Sequence, residues 1–146
     1  MSNAIIDNRR FVSIVDDDED ITVLFQDALV GIRNITIFTF TDPILALEHF
    51  QMNEYCYVLV ISDFNMPRLN GMQLLRKMKQ SNKFVRTILM TAFAIEEKIF
   101  YDYTKEKIIN QFIQKPVRLF DLIKVVDTQL RSYEKQKHSV ANYQNI

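Results

Sequence analysis

The chain is predicted to fold as an α/β domain on a doubly wound, five-stranded parallel sheet. Three observations carry this. Short, β-branched apolar runs alternate with segments whose apolar residues recur at helical spacing. The alternation repeats five times, which implies right-handed crossovers and helices on both sheet faces. Several of the short runs stop abruptly at charged or hydroxyl residues, as buried strands do where the sheet meets a polar edge.

Phe11-Val12-Ser13-Ile14-Val15 is the first strand and ends at acids. Ile21, Leu24, Phe25, Ala28, Leu29 and Ile32 then mark one face of a helix, with Gly31 near its end. Ile35 to Phe40 alternates as a second strand. Asp42 and Pro43 form a helix start, cap then first residue, and Ile44, Leu47 and Phe50 supply that helix's face. Val58 to Ser62 is the third strand, Arg68 to Gly71 a turn, and Leu74, Leu75 and Met78 face one side of the next helix. Phe84 to Met90 reads as the fourth strand. Ile95, Ile99 and Tyr103 carry a thin helical face. Gln111-Phe112-Ile113 is a short fifth strand. Leu119, Leu122, Ile123, Val126 and Leu130 mark a final helix whose apolar pattern stops near Tyr133. The expected organisation is an N-terminal extension over 1–8, one domain over 9–132, and a helix end and tail over 133–146.

Composition narrows the function. With 146 residues the chain suits a single domain that needs no covalent staple. Eighteen basic and eighteen acidic residues cancel, which disfavours nucleic-acid binding through bulk positive charge, and no DNA-binding domain is expected. One cysteine, Cys56, excludes an intramolecular disulfide; set among Tyr55, Tyr57 and Val58, it reads as a buried small hydrophobe. No apolar run approaches the roughly 20 residues of a membrane span, and no signal peptide is seen, so a soluble cytoplasmic protein is expected. His49 and His138 lie far apart without nearby cysteines, which argues against zinc. Two glycines, Gly31 and Gly71, leave no phosphate-cradling loop.

The informative feature is what ends each strand. The first is followed by Asp16-Asp17-Asp18, the third by Asp63, the fourth by Thr91 and the fifth by Lys115-Pro116. In a parallel sheet these side chains gather at one edge. Clustered carboxylates repel, so positive charge must offset them. Mg²⁺, which takes one or two carboxylates with waters and phosphate oxygens, does this, and Lys115 adds a movable cation. A metal, an ammonium and a hydroxyl around one carboxylate suit phosphoryl transfer, with Asp63 as the nucleophile of an aspartyl-phosphate.

These residues resemble a known family. Val15-Asp16-Asp17, Ser62-Asp63-Phe64-Asn65-Met66-Pro67, Asn70-Gly71, Thr91-Ala92 and Lys115-Pro116, in this order and spacing, are similar to the receiver domain of two-component response regulators, over about Arg10 to Arg131. The resemblance implies the flavodoxin-like (βα)5 fold. It implies Asp63 as phospho-acceptor, Asp17 as direct Mg²⁺ ligand, Asp16 as an acid holding the metal through water, and Asn65 offering its backbone carbonyl. It assigns Lys115 and Thr91 to the phosphoryl group, Phe112 to the switch aromatic that moves with Thr91, and a cis bond before Pro116. Its expected partners are a sensor histidine kinase or phosphotransfer protein and a downstream protein not named by the sequence. The face of the last helix and strand is a candidate homodimer surface. A stand-alone receiver is expected, with self-phosphorylation and autodephosphorylation as its only chemistry.

Rival readings were weighed on the same residues. Asp16, Asp18 and Asp20 alternate as in a calcium loop, but Ile21 stands where that loop needs Gly and Asp27 where it needs Glu. An Asp-based phosphatase needs a second acid two residues after its nucleophile, and Asn65 is there instead. A phosphorylation-independent interaction module on this fold would not need the acids, Thr91 and Lys115 together; a truncated regulator would keep them. Two departures from the family pattern stand out. Lys105 to Asn110 lacks the usual Gly-Ala pair, so an unusual exit into the fifth strand is expected. Phe93 is bulky and is expected to shield the phosphoryl group and slow its hydrolysis.

Overall fold

In the computed structural model, residues 9–92, 102 and 105–144 are described. The elements are β1 (Phe11–Val15), α1 (Glu19–Leu29), β2 (Thr36–Phe40), α2 (Pro43–Met52), β3 (Tyr57–Asp63), α3 (Gly71–Ser81), β4 (Arg86–Thr91), β5 (Gln111–Gln114) and α4 (Leu119–Gln144). The expected helix through Ile95, Ile99 and Tyr103, and Phe93 with it, lie outside the described residues.

All strand pairs are parallel, in the order β2-β1-β3-β4-β5. This is the doubly wound arrangement expected. Its direction of winding reverses between β1 and β3, and a crevice opens at their carboxyl ends. β3 is central and buried along its whole length, in keeping with a stretch from Tyr57 to Ile61 that contains no charged residue. Two apolar clusters flank the sheet. α2 and α3 contribute Ala46, Phe50, Leu74, Leu75 and Met78 on one face. α1 and α4 contribute Phe25, Leu29, Leu122, Val126 and Leu130 on the other. Fully burying a side chain of this size is worth about 1.5–3 kcal/mol.

Local sequence sets the helix starts. Asp18 caps α1 by accepting from the Asp20 N–H. Asp42 caps α2 with Pro43 behind it, as expected. Asn70 and Gln73 make a reciprocal capping box, so Asn70-Gly71 opens α3 rather than closing a turn. The turn itself is made by Arg68, at φ 70°.

Two helix faces differ from the sequence reading. Leu24 is 45% exposed, and the buried stripe of α1 runs through Thr22, Phe25 and Leu29. Ile123 is likewise partly exposed, while Leu122, Val126 and Leu130 face the core. A 3.6-residue period allows adjacent stripes, and only the neighbouring element chooses between them. α4 also continues to Gln144, where a frayed end and tail were expected. Polar contacts replace the apolar ones there: Glu134 pairs with Arg10 at 3.1 Å, and Gln136 accepts from Arg86 at 3.5 Å. The entry to β5 has no glycine to take a left-handed conformation. Lys107 takes a left-handed φ of 61°, and the Thr87 hydroxyl donates to the Ile108 carbonyl at 2.6 Å.

Candidate functional site

The crevice is built from four strand ends, those of β1, β3, β4 and β5. Past β1, the Asp16 N–H still bonds to the Phe40 carbonyl, which extends the ladder by one residue and buries the Asp16 side chain to 1% exposure. Its Oδ1 accepts the Asp18 N–H at 2.9 Å. Asp17, next along, is exposed. Asp63 is the last residue of β3 and is 6% exposed. Thr91, fully buried, ends β4. The Lys115 N–H bonds to the Thr91 carbonyl at 2.7 Å, so the lysine leaves β5 level with the other strand ends. The Lys115–Pro116 bond is cis.

These side chains converge. Lys115 Nζ lies 2.9 Å from Asp63 Oδ1 and 3.3 Å from Asp16 Oδ2. Carboxylate oxygens of Asp16, Asp17 and Asp63 lie within 4.8 Å of one another. Asp17, Asp63, Asn65, Thr91 and Lys115 line one pocket of about 330 Å³, together with Phe64 and Ala92. Asp16 sits behind that lining. Phe112 is apart from it: half-buried on β5, it packs against the cluster under α3, beside Leu89 in register.

Gly71 contributes a feature that its place in the sequence motif does not explain. Its N–H bonds to the Phe64 carbonyl at 2.8 Å. A Cβ there would sit 2.1 Å from the Asp63 carbonyl oxygen and 2.8 Å from Leu89 Cδ1. The first turn of α3 therefore rests directly on the backbone that carries Asp63, and only glycine allows it.

Among the described residues three carboxylates face one ammonium, an excess of negative charge. Burial pushes the Asp16 carboxyl above the usual range and the Asp63 charge adds to this; the Asp18 N–H and Lys115 oppose it. Burial alone would lower Lys115, but Asp63 and then Asp16 carry it upward, so the lysine stays charged. The donor set is all oxygen, two of the three acids are shielded from water, and among the described residues Lys115 is the cation paired with them. Those features fit a hard divalent cation, Mg²⁺ among them.

Comparisons with known proteins address the family and the fold. A family model described as the response regulator receiver domain matches residues 12–127. The chain is 26% identical over 129 residues to the DNA-binding transcriptional regulator NtrC of Escherichia coli K12, covering 88% of this chain and 26% of that protein. It thus spans about a quarter of the length of the first curated relatives it matches. Among solved structures, an uncharacterized protein from Neptuniibacter caesariensis superposes with a TM-score of 0.77 at 26% identity, covering 88% of this chain and 92% of that one. A response regulator receiver domain protein from Clostridium thermocellum gives 0.75 at 21% identity, covering 87% and 98%, a likeness of fold. No helix among the described residues is long and apolar enough to cross a membrane.

Proposed function

This chain belongs to the response regulator receiver domain family, and from that membership we propose that Asp63 accepts a phosphoryl group from a histidine kinase or phosphotransfer protein, switching a surface read by a downstream protein. One observation carries the reading: the Asp63 carboxylate stands in an acid-lined pocket with its Oδ1 2.9 Å from an ammonium. An Asp63 oxygen attacks phosphorus as the donor's P–N bond breaks, and the departing imidazole nitrogen recovers a proton. Lys115 and Thr91 face the pocket where the phosphoryl oxygens would lie, one offering charge and the other a hydroxyl. Asp16, Asp17, Asp63 and the Asn65 carbonyl are the groups to hold Mg²⁺, which supplies neutralisation of phosphoryl charge when bound. Attack of water on the acyl phosphate returns the carboxylate and phosphate, with no external substrate turned over.

The switch in this reading runs from Thr91 to Phe112. Phosphorylation adds about −1.5 to −2 charge and strong acceptor oxygens. Thr91 is drawn to them, and the Phe112 ring takes the space it leaves. The exposed Phe120 and Ile123 of α4 support a neighbouring face for a partner or a second copy. A kinase partner implies a cytoplasmic setting. The test is incubation with a small acyl phosphate and Mg²⁺, then intact-mass measurement. A gain of one phosphoryl group is expected in the parent and none in Asp63→Asn; the same gain in both would reject Asp63 as acceptor.

A further inference from the structure

The opposite end of the sheet holds a second concavity that phosphoryl transfer does not use. α4, 26 residues and about 39 Å long, outruns the strands beneath it. Its overhang, carrying Tyr133, Glu134 and Lys137, faces the amino ends of β1, β2 and β3. Two adjoining spaces result. A chamber of about 600 Å³ is polar and cationic, lined by Arg10, Asn34, Thr36 and Lys137. A slot of about 200 Å³ is largely apolar, set between Tyr55, Phe84 and Tyr133 with Asn82 at its edge. Tyr55, Tyr133 and Lys137 line both, so the two form one bipartite groove.

Each half lacks something. Arg10 gives Nη2 to Glu134 at 3.1 Å, but its buried Nε has no acceptor among the described residues. A guanidinium presents donors in a fork that matches a phosphate, and one carboxylate oxygen uses little of it. At the slot, Tyr55 is 89% exposed, a large side chain left to water. Lys83 lies 5.2 Å from the Phe84 ring centroid, which adds positive charge at this rim.

We propose that this groove binds a nucleotide, its base in the slot between Tyr55 and Tyr133 and its phosphate in the chamber at Arg10 and Lys137. Stacking on aromatic rings is worth about 1–3 kcal/mol per base and is available to any base. The arginine and lysine supply the phosphate contact, and Glu134 keeps the guanidinium in place. The site is independent of Asp63, which lies at the far ends of the strands.

The test is titration of the full chain with ADP, followed by amide chemical shifts, with EDTA present to keep divalent ions out of the acidic pocket. Adenosine and inorganic phosphate are titrated separately. Saturable shifts around Arg10, Tyr55, Tyr133 and Lys137 are expected, with ADP at least about tenfold tighter than either fragment. Lys137→Glu, at an exposed position, should weaken ADP about tenfold. The same variant should still accept phosphate on Asp63 at the parental rate. Binding of phosphate or adenosine as tight as ADP would overturn the proposal. So would shifts confined to the Asp63 rim, no saturation, indifference to Lys137→Glu, or tighter binding of a poly-glutamate peptide than of ADP.

Discussion

The two ends of the sheet bury charge in opposite ways. At the carboxyl end, Asp16 and Asp63 are buried beside each other with Lys115 as the only ammonium within 3.3 Å among the described residues, and the exposed Asp17 completes the cluster. At the amino end, Lys79 in the last turn of α3 and Arg86 at the start of β4 are partly buried near each other, and among the described residues neither forms an ion pair. Amides hold them instead. Lys79 Nζ donates to Asn110 Oδ1 at 3.0 Å, and Arg86 Nε to Gln129 Oε1 at 2.9 Å, with Gln129 in turn bonded to Gln111. Burial, then the charge of Arg86, lowers Lys79 to about 8, the mirror image of Asp16 raised by burial and Asp63. An amide satisfies a donor without cancelling its charge. Around Lys79 and Arg86, under α3 and β4, the amino end is therefore a closed network that tolerates its cost. The carboxyl end, among the described residues, keeps more carboxylates than cations at an open pocket, where a cation and a phosphoryl group can meet them.

The sharpest way to break this contrast is Gly71→Ala. A methyl group 2.1 Å from the Asp63 carbonyl oxygen must push α3 off the end of β3, and the backbone contact cannot rotate away. A loss of about 3 kcal/mol is expected, at the upper end of overpacking costs. Urea denaturation should show a lower midpoint at unchanged slope. The rate of phosphoryl gain from an acyl phosphate should fall with it, because the displaced backbone carries the acceptor. A variant as stable and as fast as the parent would mean that α3 does not position Asp63.

How much of this was legible in the sequence follows from the range of each signal. Strand ends were legible because an apolar run that stops at Asp16, Asp63, Thr91 or Lys115 changes character within one residue. The parallel order then brings those stops together without further information. The contact of Gly71 was not legible: its partner is a backbone carbonyl eight residues earlier, brought close by packing alone. Leu24 and Ile123 were read into the core because a helical period fixes a stripe's width poorly. The reach of α4 past Tyr133 was hidden because Glu134 and Gln136 hold it through Arg10 and Arg86, far apart in the chain. The Lys79–Asn110–Thr87 network joins three elements and leaves no local pattern.

Asp16→Asn sharpens the carboxyl end. The folded protein holds the Asp16 proton to higher pH than the unfolded chain does, from a starting value of 3.8. Without divalent cation, the parent's stability should therefore fall as pH rises from about 3.8 through the folded value. Asparagine keeps an oxygen to accept the Asp18 N–H and carries no charge, so it removes that fall. The variant should be more stable by about 1 kcal/mol at pH 7 in EDTA. Adding Mg²⁺ should stabilise the parent and leave the variant behind, because only the parent retains the acids that hold the ion. Denaturation in EDTA and in Mg²⁺ checks both signs. A variant less stable than the parent in EDTA would show that Lys115 already neutralises the cluster.

Lys79→Met makes the smallest change and addresses the amino end. The parent must bury a charge there at neutral pH, and the lysine sheds its proton at about 8 when folded but at 10.5 when unfolded. Between those values the unfolded chain binds more protons, so the parent's stability should rise with pH across that window and stay flat below it. Methionine fills similar space without charge. Asn110 Oδ1 still accepts from the Thr87 N–H at 2.9 Å and the Thr87 hydroxyl at 3.2 Å, so the lost bond orphans no acceptor. A gain of about 0.5 kcal/mol is expected at pH 7, closing as pH approaches 10.5. Parallel stability–pH curves for the two proteins would show that the amides alone settle the lysine's charge, and the contrast between the two ends would then rest on the carboxylates only.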